Sequence, residues 1–252
     1  MNTLLAQLKF DGRRLILRNF SFQFFSILMP AGFYLLFTKV MASGAVPTRF
    51  NLQYMASMIV YSGTINALFG IAQILMHDRE QGLLQWLQRT PTGVNAYYLS
   101  IGVWSMVMNT LAIVVLGGLA VVFNQVSLTA GQWAAIVGIA LIGQLPTMLI
   151  GVLVSFINRA ETLSVVSNLI TFPMAIISGL WWPMAMLPGW LRPVGKLMPT
   201  YFVNDWLGAV ATHATLNTTT VIGVFGWIGL LTIIVVGGTR QLLKRGDGVV
   251  EV

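Results

Sequence analysis

His77-Asp78-Arg79-Glu80-Gln81-Gly82-Leu83-Leu84-Gln85-Trp86-Leu87-Gln88-Arg89-Thr90-Pro91 is a polar, helix-forming insert between two long apolar stretches. Asp78 with Gln81 three residues later reads as a capping box, the aspartate accepting from orphan N–H groups of a first helical turn. Thr90-Pro91 ends the helix, because the residue before proline avoids the α region. At about 100° per residue, Leu83, Leu84, Trp86 and Leu87 share one face, while Gln81, Gln85, Gln88 and Arg89 face away. The spacing therefore predicts one short amphipathic helix near 79–89. It can lie in a headgroup layer or dock into a groove of another protein, and the residues leave both open.

The surrounding composition says which kind of chain carries the insert. Of 252 residues, 56% are hydrophobic and only 8% are charged, with a mean hydropathy of +0.80. A soluble domain carries about 25% charged residues, so this chain is a polytopic membrane protein. Cysteine is absent, which removes disulfides, thiolate metal sites and a cysteine nucleophile. The net charge of +7 is read as basic residues gathered on cytoplasmic loops rather than as a nucleic-acid surface.

Crossing the hydrocarbon takes about 20 mostly apolar residues. Six segments qualify, roughly 20–41, 54–76, 98–123, 132–157, 162–182 and 219–239, and lipid requires them to be helices. They form a single transmembrane domain over 1–252. The first is read as a retained span, since no small-residue cleavage pattern follows it. With both termini inside, Lys9, Arg13, Arg14, Arg18, Arg79, Arg89, Arg159, Arg240, Lys244 and Arg245 are cytoplasmic. Only Lys39, Arg49, Arg192 and Lys196 are outside, a bias of ten to four.

Polar groups within the spans are Gln23, Asn66, Gln73, Asn109, Gln144 and Asn168. None is charged, which argues against a proton or sodium relay. They are read mostly as contacts between helices, with a minority lining a path. Pro30, Pro146 and Pro173 are expected to kink their spans. The largest non-spanning piece, 183–218, carries short apolar stripes at helical spacing: Trp190, Val194 and Leu197, then Phe202, Trp206 and Val210. These suit half-buried helices at the outer interface.

A search for chemistry finds little. The two histidines, His77 and His213, fall on opposite sides of the membrane in this topology. Gly189 to Gly195-Lys196 has one residue too many for a P-loop, and Leu197 stands where Ser or Thr is needed. Any ATP energy must therefore reach this chain through a partner.

Two motifs carry a family resemblance. Glu80-x-Gly82 followed by Leu87 and Thr90-Pro91 resembles the cytoplasmic segment of the type-2 ATP-binding-cassette exporter permeases. Ser178-Gly179-Leu180-Trp181-Trp182-Pro183, leading to Leu187-Pro188-Gly189-Trp190-Leu191 and then Met198-Pro199-Thr200-Tyr201, is similar to that family's outer signature. Span number, order and length agree along the whole chain. The resemblance implies an all-α fold with an amphipathic N-terminal helix, six transmembrane helices, a coupling helix and short outer helices.

It also implies partners and roles. Two permease copies, identical or paralogous, would pair in the plasma membrane, each binding a cytosolic ATPase subunit that holds the ATP and Mg; this chain would carry no cofactor of its own. The coupling residues would be Asp78, Arg79, Glu80, Gly82, Leu83, Leu87, Arg89 and Pro91. Asn66, Gln73 and Asn168 would border a substrate path along spans one, two and five, and Pro183, Pro188, Trp190 and Pro199 an outer lid. The stretch before span one resembles a connecting helix on the membrane surface. There Leu4, Leu5, Leu8, Leu15 and Ile16 share one side, and Asp11-Gly12 interrupts the pattern. The apolar, uncharged path suits efflux of a drug, peptide antibiotic or lipid-like molecule. The alternative is a non-catalytic membrane subunit for sensing or immunity.

Overall fold

The computed structural model describes residues 3–18, 20–41, 44, 46–89 and 93–244; Thr90, Pro91, Arg245 and the Gln23 side chain lie outside the described set. All regular structure described is helical. In chain order the helices are α1 (Thr3–Arg18), α2 (Phe20–Leu35), α3 (Thr48–Ile65), α4 (Ala72–Glu80), α5 (Leu83–Gln88) and α6 (Gly93–Asn124). Then follow α7 (Ala130–Gly143), α8 (Leu145–Val154), α9 (Ala160–Ile177), α10 (Leu191–Gly195), α11 (Pro199–Ala211) and α12 (Thr218–Lys244). A π-helical turn, Asn66–Ile71, joins α3 to α4, and another, Leu36–Val40, follows α2.

Among the described residues, five helical stretches are long and apolar enough to cross a bilayer: Thr48–Glu80, Val94–Asn124, Ala130–Val154, Ala160–Ile177 and Thr218–Gly238. The first expected span corresponds to a shorter apolar helix, Phe24–Val40. Thr48–Glu80 is the axis of the bundle, with 83% of its most apolar window buried, whereas Thr218–Gly238 is peripheral at 11%. Around the axis pack α2, α6, α7 and α11, and the core gathers Tyr34, Tyr61, Met55, Ile59, Leu116 and Leu207.

Two breaks in regular bonding shape the centre. Span four divides at Gln144, between α7 and α8, where Pro146 lacks the N–H that would continue the ladder. The helix is interrupted there, whereas α2 and α9 each run unbroken through Pro30 and Pro173. The π-turn of the axis lies against α8. A Cβ on Gly151 would sit 2.4 Å from the Ala67 carbonyl oxygen of that turn. Small residues are what allow such backbone approach in membrane helices. Gly151→Ala is therefore expected to lose about 1–3 kcal/mol by overpacking. Gly138→Ala, on the same span with nothing within 4 Å, is the control. Thermal unfolding of the two variants in detergent should separate them; equal midpoints would contradict the packing argument.

At the far end of the bundle from α5, residues 183–218 are built into the fold. Gly179 takes a left-handed φ of 79° and turns the chain after α9, and Arg192 donates to the carbonyls of Leu187 and Ala185 at 2.9 and 2.7 Å. Phe202, Trp206 and Val210 are half-buried as expected, whereas Trp190, Val194 and Leu197 are exposed, since α10 is a single short turn of helix that ends before Leu197. The opposite side of α11, with Pro199, Val203, Asn204 and Leu207, is buried against α3, α7 and α12. Gly143 and Gly208 make room for Val203 and Gln53, and Ser57 Oγ donates to Asn204 Oδ1 at 3.0 Å. So α11 is a wedge between spans, more than a surface anchor.

Candidate functional site

The quoted insert does not fold as one helix. The axis continues through His77-Asp78-Arg79-Glu80, since nothing there opposes a helix, and stops where Gly82 adopts φ +71°. Gln81 N–H donates to the His77 carbonyl and Gly82 N–H to that of Arg79, both at 3.0 Å, closing α4. Gly82 then serves as N-cap of α5. Asp78 is thus in the last turn of α4 and not a capping residue. The expected capping box fails because the preceding apolar helix extends past it.

What Asp78 does instead is bind α1. It is 3% exposed, and Arg14 grips it with a two-pronged contact, Nη1 to Oδ1 at 2.6 Å and Nη2 to Oδ2 at 2.8 Å. The Tyr97 hydroxyl, from the first turns of α6, donates to Asp78 Oδ2 at 2.5 Å. Arg14 Nη2 also reaches Asp11 Oδ1 at 3.2 Å, and Gln7 Nε2 donates to Asp11 Oδ2 at 2.8 Å. Burial disfavours the guanidinium charge of Arg14, but its bonds to Asp78 and the field of Asp78 and Asp11 outweigh this and raise its pKa. The guanidinium stays charged at any physiological pH.

α1 is continuous through Asp11-Gly12, against the interruption read from its leucines. Those two residues are the docking face. A Cβ on Gly12 would come within 2.3 Å of the Trp104 ring, and Trp104 Nε1 donates to the Leu8 carbonyl at 2.9 Å. Leu5 and Phe10 are more than half exposed on the other side. Asp11, Gly12 and Arg14 thus meet the bundle, while Leu5, Lys9, Phe10 and Arg13 are exposed.

α5 is pinned from beneath. Leu84 and Leu87 are buried with Ile71, Leu75, Tyr97 and Ile101, and Leu83 packs beside them. Trp86, expected on that same face, is instead 64% exposed. Glu80, Gln81 and Arg89 are exposed around it. Arg79 turns back, its Nη2 donating to the Ile157 carbonyl and to Asn158 Oδ1, both at 3.0 Å, across the turn before α9. Of the eight coupling candidates, Glu80, Gly82, Leu83, Leu87 and Arg89 cluster at α5. Asp78 and Arg79 are turned inward to the bundle, and Pro91 is outside the described residues.

The three path candidates do not come together. Asn66 is buried beside Ser105, with Asn66 Nδ2 at 3.5 Å from the Ser105 carbonyl. Gln73 is exposed on the bundle surface, and Asn168 bonds the Ser164 carbonyl of its own helix at 2.8 Å. Of the lid candidates, Pro199 is buried, Pro183 half-buried, and Pro188 and Trp190 exposed. Among the described residues, no group of three or more His, Cys, Asp or Glu could hold a metal.

Residues 41–238 match the family described as ABC-2 family transporter protein. The chain belongs to this family. It is also similar to YvfS of Bacillus subtilis (strain 168), a protein named as a transport permease, at 27% identity over 202 residues. That match covers 80% of this chain and 82% of the relative. The family membership makes the chain a multi-pass membrane subunit concerned with transport. The α4–α5 end with its α1 clamp is its candidate functional site. Arg14, Gly12, Tyr97 and Trp104 were not among the sequence candidates. Their signal was an acidic residue and a glycine on the apolar side of an amphipathic helix, in a chain with only 7 acidic residues.

Proposed function

We propose that the chain is the permease subunit of an ATP-driven exporter, paired with a second permease copy and moved by a separate cytosolic ATPase that binds ATP and Mg. The observation that carries this reading is the exposed edge formed by Glu80, Gln81, Trp86 and Arg89 around α5, whose other side is locked into the bundle. A load on that edge passes through Leu84 and Leu87 to spans two and three, and through Asp78, Arg14 and Tyr97 to α1. ATPase closure would thereby bias inward-facing against outward-facing arrangements of the spans. Family membership supports the same assignment. The protomer surface toward the second copy would include α2 and α9, where Phe24, Leu28, Val165 and Leu169 are exposed. With Phe24–Val40 counted as the first of six spans, both termini are cytoplasmic. The exported molecule is hydrophobic or amphipathic.

Two measurements test it. Reporter fusions near residue 125 and at the C-terminus should read outside and inside, as the ten-to-four basic bias requires; an outside C-terminus overturns the six-span topology. Affinity purification of the tagged chain should recover a P-loop ATPase in equal amount. Vesicles holding that complex should move an amphipathic fluorescent dye only with ATP. Recovery of the chain without any ATPase, under conditions that keep permease pairs together, overturns the coupling role.

A further inference from the structure

Asn109 and Gln144 are both at least 97% buried, and each holds a carbonyl oxygen, Asn109 Oδ1 and Gln144 Oε1, that no protein donor reaches. Both residues border one small cavity between spans two, three and four, with Gly63, Thr64 and Thr147 beside them. Its volume is about 10 Å³, the lower limit for one water molecule. We propose that this cavity is a binding site for a single internal water, which donates one proton to Asn109 Oδ1 and the other to Gln144 Oε1.

The hydroxyl donors around the cavity are committed elsewhere. Gln144 Nε2 is engaged by Ser105 Oγ at 2.7 Å, and the Ser105 hydroxyl has Asn66 Oδ1 at 3.5 Å as its own acceptor. That chain, Asn66 to Ser105 to Gln144, leaves Gln144 Oε1 facing the cavity. The neighbouring hydroxyls cannot serve it. Thr147 Oγ1 donates to the Gln144 backbone carbonyl at 2.9 Å and Thr64 Oγ1 to the Val60 carbonyl at 2.9 Å. Two bare acceptors beside room for one molecule suit a ligand with two protons to give. Leaving either buried carbonyl bare costs about 1–3 kcal/mol, and polar cavities of this size hold conserved water where apolar ones stay dry. Gly63 is part of the site: a Cβ there would stand 3.4 Å from Asn109 Oδ1.

The location gives the site a role. It lies where span four breaks at Gln144, next to the layer in which the axis helix makes its π-turn from Asn66. A water-bridged contact between spans three and four survives small sliding motions, because the water reorients while both oxygens stay satisfied. Direct amide contact would not.

The test is a map of the purified protein in nanodiscs at a resolution that shows ordered waters. The expected result is a peak within hydrogen-bond distance of both Asn109 Oδ1 and Gln144 Oε1. Asn109→Leu should remove the peak and lower the unfolding midpoint by about 2–4 °C. A wild-type cavity without density, or an Asn109 amide bonded directly to Gln144, overturns the proposal. So does an Asn109→Leu protein more stable than wild type, since that means the carbonyl had been bare. The wild-type map decides even where the variant does not fold.

Discussion

Arg14→Gln is expected to lower the unfolding midpoint by roughly 10 °C or more, the largest single effect among the polar residues of the site. Breaking a buried ion pair by removing one partner costs about 3–5 kcal/mol, because the other charge is left without compensation. Here two carboxylates are left, Asp78 and Asp11, at side-chain exposures of 4% and 0%. Asp78→Asn should cost less, since Arg14 keeps Asp11 at 3.2 Å. Tyr97→Phe removes one hydrogen bond to a charged group, worth about 1.5–3 kcal/mol. The order Arg14→Gln, then Asp78→Asn, then Tyr97→Phe reports the charge balance of the cluster, which a simple loss of packing volume would not reproduce. A second readout is trypsin cleavage at Lys9 and Arg13. It should speed up in Arg14→Gln, because α1 is held to the bundle chiefly by this clamp and the Trp104 contact. Wild-type unfolding and wild-type cleavage in Arg14→Gln would show that the clamp is not what holds α1.

The parts of this molecule that were legible in its sequence are those fixed by the solvent. Lipid forces long apolar stretches into helices, so the positions of most spans follow from hydropathy alone. The first span is less distinct, because its apolar helix is short and ends in a π-turn. What hydropathy does not encode is which polar residue faces a neighbour. Asp78 was read as a cap since a capping box is a local pattern. Its partner Arg14 is 64 residues away, and no window contains both. Asp11-Gly12 was read as a flaw in an amphipathic stripe, when it is the surface that meets Trp104. Trp86 was placed with the leucines by too generous a face: the buried side of α5 is centred between Leu84 and Leu87, and at 100° per residue Trp86 lies about 130° from that centre, on the exposed side. The segment 183–218 misled in a different way: Phe202, Trp206 and Val210 are half-buried as read, but Trp190, Val194 and Leu197 are exposed, and α11 buries Val203 and Leu207 together with Thr200, Asn204 and Gly208, polar and small residues that a hydrophobic count passes over.

At α5, the decisive result is expected from position 82. Gly82→Ala and Gly82→Trp share the same backbone penalty, about 1–2 kcal/mol for a left-handed residue with a Cβ. A Cβ at 82 has space inside the chain, the nearest atom being Gln85 Oε1 at 3.9 Å. Matched unfolding midpoints of the two variants in isolation assign any difference in ATPase binding to contacts outside this chain. If α5 seats in the ATPase, Gly82→Trp should abolish binding of the ATPase while Gly82→Ala weakens it only modestly, and Gly82→Asn, which tolerates positive φ, should approach wild type. Glu80→Ala should also reduce stimulated ATPase activity and transport together. Trp86→Ala should weaken the complex by roughly 30-fold, the loss of one aromatic anchor worth about 2 kcal/mol. A helix that only rests in the headgroup layer gives another ranking. There Trp86→Ala loosens membrane contact, whereas Glu80→Ala is silent and Gly82→Trp, adding an aromatic favoured at the interface, is tolerated. Leu84 and Leu87 cannot discriminate, because both are buried under α5 and their loss unseats it in either case. ATPase binding and stimulation in reconstituted vesicles across the Ala, Asn and Trp variants at 82 separate the two. Equal behaviour of Gly82→Ala and Gly82→Trp would end the assignment of this edge to a partner.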